Sequence, residues 1–303
     1  LEPTERGTYQ PVFSIRGEQR LDEHILTDWM GYLENKPVRI GNDAYTHVQN
    51  DVYGQILATF YLLHETETEE SLDEFFPEPE WCEHLLSRVE LVMELPDASL
   101  WEFRTRAQHH SYSYMFKWLG LRMLEEYFAE RGLQQLKEKS TRLKERAIDW
   151  IERSYDPEKQ VYTAAVGALR MDAANLQLIT SGYLNPQSEK ARKHLEVLEQ
   201  ELMTDEGLFY RYIDEDDFGE PETTFLICAF WYVEALAMVG RVERAEKVFN
   251  RLLGYSNHLG LFAEDVHPTS GSQWGNFPQC YSHAGLINSV LAITQAKELQ
   301  NMS

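Results

Sequence analysis

Apolar residues recur at three- and four-residue spacing through most of this chain, the period of an amphipathic helix; strand-like stretches are few and short. The spacing predicts helices over Ala44–His64, Trp81–Leu95, His109–Gly132, Leu133–Tyr155, Asp172–Gly182, Gln187–Met203, Glu222–Gly240, Val242–Leu253 and Gln279–Leu299. Gly132, Gly182 and Gly240 close three of these, because glycine reaches the left-handed conformation that ends a helix. The candidate strands are Val161–Ala165 and Leu208–Ile213. They do not alternate with the helices, which excludes a doubly wound sheet. Short connections around the three glycines alternate with long ones rich in aromatic and acidic residues, over Pro96–Gln108, Glu206–Glu222 and Gly254–Pro278. Helical hairpins with their long connections at one end predict an all-α fold, an α/α toroid with a cavity walled by the long loops. No strict repeat is present, which argues against a solenoid. No linker interrupts the pattern, so a single domain over 1–303 is expected.

Charge and composition narrow the partners. The chain carries 28 Lys+Arg against 50 Asp+Glu, a formal net charge of −22. Phosphate backbones and anionic membranes repel such a surface, so neither nucleic acid nor membrane is an expected partner. The longest apolar run, Thr223 to Val239, is broken by Glu234 and falls short of the roughly 20 residues that span a bilayer; it reads as a buried helix. Cys82, Cys228 and Cys280 are far apart and form no C-x-x-C pair, which supports neither a zinc ribbon nor a disulfide framework. With no signal peptide at the start, a reducing, cytoplasmic location is expected. The first residue is Leu1 rather than Met, as in a piece of a longer protein.

Candidate chemistry lies in the long loops. Glu102 stands between Trp101 and Phe103, with Arg104 and Arg106 following. A carboxyl among aromatic faces is poorly solvated and keeps its proton more tightly, as a general acid requires, and an indole beside it suits the C–H face of a sugar. The alternative is an ordinary loop glutamate paired with Arg104 or Arg106. Glu264, in Leu261-Phe262-Ala263-Glu264-Asp265, is a second loop carboxylate with aromatic neighbours, or else a solvated acidic turn. Two such carboxylates facing one cavity are the minimum for glycoside hydrolysis. The acidic run Asp214–Asp217 lacks the spacing of a calcium loop. Arg211, between Tyr210 and Tyr212, is placed to donate to sugar hydroxyls, and Arg39 is a ligand donor or a structural ion-pair partner. Adjacent His109 and His110 diverge by about 100° on a helix and cannot chelate one metal. Trp118, Trp150 and Trp231 lie in apolar helices and are expected in the core. Nucleotide-binding, zinc-protease and serine-hydrolase motifs are missing from the sequence, so neither cofactor nor metal is expected.

Five segments in series carry a resemblance: Pro37-Val38-Arg39-Ile40-Gly41-Asn42 with Asp51-Val52-Tyr53-Gly54; Leu100-Trp101-Glu102; Phe230-Trp231-Tyr232-Val233-Glu234-Ala235-Leu236; Gly275-Asn276-Phe277-Pro278-Gln279; and Ser282-His283. From about Arg20 to about Ala296 the chain resembles the catalytic domain of glycoside hydrolase family 15, the glucoamylases, glucodextranases and trehalase-like members. The resemblance implies an (α/α)6 barrel and an inverting, exo-acting hydrolysis that releases glucose from non-reducing ends of α-glucoside oligosaccharides or disaccharides. It implies Glu102 as general acid and Glu264 as general base, roughly 6.5–9.5 Å apart to admit the attacking water. Trp101 and Arg211 would line the glucose subsite, with Arg39 and Arg104 near it. The upstream Trp-x-Arg-Asp segment and the N-terminal β-sandwich of the family have no counterpart in these residues, so the barrel is expected to lack its first hairpin. A non-catalytic sugar-binding or regulatory member of the same fold, like the domain in phosphorylase kinase α subunits, is the other implied function. Retention of both carboxylates favours the enzyme.

Overall fold

A computed structural model describes residues 9–66, 78–104, 106–215 and 219–302. The chain divides into two compact units, one up to Ala147 and the other from Ile148, and each is described by itself.

The first unit opens with a two-stranded ladder, β1 (His24–Ile25) against β2 (Arg39–Ile40), antiparallel with Ile25 opposite Arg39. Helices α1 (Asp51–Thr66), α2 (Pro79–Val92) and α3 (Ser111–Glu130) follow. Proline at the start of α2 spares a backbone donor that would have no partner there, and Cys82, Leu85, Leu86, Val89 and Val92 form its buried stripe. α1 and α3 cross at a pair of glycines: a Cβ on Gly54 would stand 2.1 Å from the Phe116 carbonyl oxygen, and one on Gly120 would stand 2.4 Å from that of Gly54. Only the absence of side chains lets the two backbones approach so closely. The division between units falls within α4 (Gln134–Glu152).

The second unit contains the ladder of β3 (Tyr155–Asp156) and β4 (Val161–Tyr162), then α5 (Gln177–Thr180), α6 (Glu189–Leu202), β5 (Thr224–Phe225), α7 (Leu226–Met238), α8 (Val242–Leu253), β6 (Asp265–Val266), β7 (Gln273–Trp274) and α9 (Cys280–Met302). Apart from Glu234, α7 is apolar throughout and is the buried helix of this unit, with Leu226 to Val233 all buried. α9 packs on it through Gly285, where a Cβ would meet Phe230 Cβ at 2.8 Å, and through Ser289, whose hydroxyl donates to the Phe230 carbonyl at 3.1 Å. β5, β6 and β7 form one antiparallel sheet with β6 in the middle, pairing Phe225 with Asp265 and Asp265 with Trp274.

Several expected elements begin or end elsewhere, three of them near the candidate site residues or their loops. The predicted first helix starts as a short 3-10 turn, Asp43–Thr46, capped by the Asn42 side chain; α1 itself begins only at Asp51. Residues 47–50 are drawn off by the Glu102 loop, since the Val48 carbonyl accepts from Ala98 N–H at 2.9 Å and Asn50 N–H donates to Asp97. The start predicted at Glu222 moves to Leu226 because Thr224 and Phe225 pair with β6. Leu208–Ile213 contributes one isolated bridge, Phe209 to Met203, rather than a strand. Trp118 and Trp231 are buried as expected, whereas Trp150 is half-exposed under the Arg153 guanidinium, 4.2 Å from its ring. No described helix is long and apolar enough to cross a membrane.

Candidate active site

In the first unit the loop Asp97–Gln108 is closed by a bridge between its ends, with Asp97 N–H donating to Gln108 and Gln108 N–H to Asp97 at 3.0 and 2.9 Å. Within it Ser99 and Glu102 both adopt left-handed backbone, with φ of +61° and +59°. Such a conformation costs a non-glycine residue about 1–3 kcal/mol. Trp101 and Phe103 are buried at 9% and 7% exposure, while Glu102 between them is exposed. The expectation of a carboxyl enclosed by its two aromatic neighbours is therefore corrected: the left-handed residue sends Glu102 to solvent while the rings on either side are buried.

Arg39 and Arg104, 65 positions apart in the chain, meet on one carboxylate. Arg39 Nε lies 2.9 Å from Glu23 Oε1, and Arg104 Nη2 lies 3.4 Å from Glu23 Oε2. Glu23 is itself set by its own amide, which donates to Asp43 at 3.2 Å. Arg106 stacks on Phe103, 3.8 Å from the ring. Nothing in the sequence around Glu23 singles it out; its role comes from the β1–β2 pairing, which sets Glu23, just ahead of β1, close to Arg39 at the start of β2.

In the second unit Glu264 immediately precedes β6. Its carbonyl accepts from Leu226 N–H at 3.0 Å and its own N–H donates to the Asn276 carbonyl at 3.0 Å, so the residue is tied to the start of α7 on one side and to the segment after β7 on the other. The side chain is gripped as well. Asn276 donates to Glu264 Oε2 from both its backbone N–H and its side-chain amide, at 2.9 Å each, which leaves Oε1 outside that clamp. Gly275 lies directly against the carboxyl: a Cβ there would sit 2.6 Å from Oε2. Gly275 and Asn276 belong to one of the family segments, but nothing in their local sequence marks either for a task at Glu264.

Asp265, the next residue, points into the fold. Burial pushes its carboxyl up to about 6, opposed by a 2.6 Å hydrogen bond from Thr223 and by the positive charge of Arg211. Arg211 is half-buried, its guanidinium 5.6 Å from the Tyr212 ring and 5.7 Å from Phe225. The chain thus brings Trp101, Glu102, Arg39 and Arg104 into the first unit, and Arg211 and Glu264 into the second. Among the described residues no group of three His, Cys, Asp or Glu side chains is arranged to hold a metal ion.

The profile of a family described as "Glycosyl hydrolases family 15" matches residues 1–291. A trehalase of Mycobacterium tuberculosis (strain ATCC 25618 / H37Rv) is 34% identical over 304 residues, covering 97% of this chain and 43% of that protein. A trehalase of Thermoplasma volcanium is 31% identical over 297 residues, covering 97% of this chain and 46% of its own length. The chain therefore spans less than half the length of these two relatives. A bacterial glucoamylase solved in complex with acarbose shares the fold at a TM-score of 0.63 and 15% identity, over 86% of this chain and 43% of that one.

Proposed function

The chain belongs to the glycosyl hydrolases family 15, and on that premise we propose that it supplies the two working carboxylates of an inverting, exo-acting α-glucosidase, with Glu102 the general acid and Glu264 the general base. Its mostly helical fold matches solved structures of this family over part of their length. The observation that carries the reading is the orientation of Glu264. Asn276 occupies Oε2 with two donors, and Oε1 is the oxygen left to take a proton from water. That water attacks the anomeric carbon on the face opposite the departing group. The glycosidic C–O bond breaks, and Glu102, exposed at the tip of its turn, gives its proton to the leaving oxygen. The arginines serve the substrate: Arg211 is a hydrogen-bond donor among aromatic rings, and Arg39 and Arg104 are held ready by Glu23. Trp101, buried next to the acid in the chain, is assigned with Arg211 to the glucose subsite.

Because the two relatives are named trehalases, trehalose is the first substrate to test, ahead of maltose, isomaltose and soluble starch. Trehalose also reads out the stereochemistry. Inversion at one of its two α-anomeric centres releases one β-glucose and one α-glucose, whereas retention releases α-glucose alone. Early-time NMR of the reaction in 18O-water is expected to show both anomers in equal amounts, with the label on the β-anomer; α-glucose alone would overturn inversion. Sugar binding without release would instead identify a non-catalytic member of the family. Glu102→Gln is expected to lower kcat about 100- to 10,000-fold on trehalose and far less on α-glucosyl fluoride, whose leaving group needs no proton. Glu264→Ala is expected to recover part of its turnover in azide and to form β-glucosyl azide; an α-azide product would contradict the assignment.

A further inference from the structure

Beneath the Glu102 turn, and outside the reaction just described, lies a cluster of buried charge. Lys117 on α3 is 0% exposed, Asp51 at the start of α1 is 4% exposed, and Asp97 at the head of the loop is 2% exposed. The Lys117 ammonium sits 4.3 Å from the Tyr114 ring and donates a long bond, 3.5 Å, to the Val92 carbonyl; the rest of its compensation is attraction to Asp97 and Asp51. Burial holds Lys117 down to about 8. Asp51, pushed up to about 7 by burial and by the charge of Asp97, sheds the surplus negative charge by holding a proton near neutrality. Its Oδ2 accepts from the Gln55 amide at 2.7 Å.

Asp97 is where this cluster meets the loop. Its Oδ2 accepts from the Asn50 amide at 2.7 Å and its Oδ1 from the Ser99 amide at 3.3 Å. The Ser99 carbonyl in turn accepts from Glu102 N–H at 3.2 Å, and Phe103 N–H returns to the Ala98 carbonyl at 3.1 Å. Ser99 and Glu102 are both left-handed, a conformation that persists in a non-glycine residue only where its surroundings impose it. The carboxylate bonded to the Ser99 amide is that of Asp97, and Lys117 is a buried cation attracted to that carboxylate. We propose that Asp97, with Lys117 as its buried counter-ion, is the positioning residue for Glu102, holding the Ser99–Glu102 turn so that the acid's carboxyl is presented at a fixed place.

The proposal rests on the α-glucosidase reading only for the task of Glu102, so its test has one arm that needs no turnover. Asp97→Ala removes both acceptor and charge, Asp97→Asn keeps an acceptor, and Lys117→Met removes the counter-ion. Residue-resolved hydrogen exchange is expected to speed at the Ser99 and Glu102 amides of Asp97→Ala by at least about tenfold more than along α3, with Asp97→Asn between it and the unchanged protein. Equal acceleration along α3 would mean general loosening and would overturn the proposal. In the second arm, kcat on trehalose is expected to fall about 100-fold in Asp97→Ala with KM little changed, because a small displacement of a reacting group costs that much. On α-glucosyl fluoride, which bypasses the acid, the loss is expected to stay under about fivefold. Equal losses on the two substrates would sink a positioning role. Should Asp97→Ala not fold, Asp97→Asn and Lys117→Met carry both arms. If the unchanged protein hydrolyses neither substrate, the α-glucosidase reading fails, and exchange at Ser99 and Glu102 alone decides whether Asp97 holds the turn.

Discussion

Gly275, with a φ of +75°, lies against the carboxyl of Glu264 in a space that a single methyl group would fill. Gly275→Ala adds a Cβ that must displace Glu264 Oε2 or its Cβ, at 2.6 and 2.8 Å, on a backbone that already disfavours side chains. The expected outcome is a kcat about 100-fold lower with the fold retained, since a displacement of about 1 Å at a reacting group is enough. Steady-state kinetics beside a thermal melt checks this; unchanged kcat would mean that the clamp is irrelevant to the base. Glycine serves here for the room it leaves beside a carboxylate as much as for its dihedral freedom. Glu23 makes the same point with charge. It was invisible in the sequence because its meaning lies in two arginines, Arg39 at 16 positions' distance and Arg104 at 81, that only folding brings to its two oxygens.

Helix periodicity located the elements well where a helix answers to its own apolar stripe. Val242–Leu253 is found with the predicted ends, and the glycine stops after α3 and α7 hold. It failed at helix starts whose backbone groups are claimed by distant segments, as at residues 47–50 and at Thr224-Phe225. The crossing of α1 and α3 is the element-scale feature most exposed to mutation. Gly120→Ala would put a Cβ 2.4 Å from the Gly54 carbonyl oxygen and 2.7 Å from Leu57 Cβ, and the first of these is backbone that cannot rotate away. Separating the helices is expected to cost about 1–3 kcal/mol, read as a lowered midpoint in urea at unchanged slope. A midpoint equal to that of the unchanged protein would show that the crossing has slack.

Over the whole molecule, buried acids set the pH response. Desolvation raises Asp51 to about 7, Asp265 to about 6 and Glu234 to about 8. A carboxyl raised in the folded state favours folding fully while both states hold the proton, below about pH 4, and that contribution is lost as pH rises through its folded value. Lys117, lowered to about 8, acts in the opposite sense: its burden is relieved as pH climbs from about 8 toward its ordinary value. The stability contributed by these groups therefore falls between about pH 4 and 8. Asp51→Asn is expected to flatten that fall between pH 4 and 7, by up to about 1.4 kcal/mol per pH unit. Urea unfolding at a series of pH values measures it; parallel curves for the two proteins would assign the slope to other groups.

Taken alone, the sequence determined what depends on neighbours in the chain. Three- and four-residue apolar spacing sufficed for an all-α fold, and five short segments in series sufficed for the family, which the profile match over residues 1–291 bears out. Glu102 could be named because it sits in one of these segments, and Glu264 because it is a loop carboxylate with aromatic neighbours a short way ahead of another. Tertiary structure decided everything that depends on contacts between distant positions. It set which way Glu102 faces, because the turn is left-handed at both Ser99 and Glu102 while the aromatic residues on either side are buried. It decided which oxygen of Glu264 is clamped, because Asn276 returns 12 residues later to supply both donors. It also buried Lys117 with Asp51 and Asp97, a grouping that local pattern cannot register, since a charged residue inside a helix looks the same whether it meets water or two carboxyls from elsewhere in the chain.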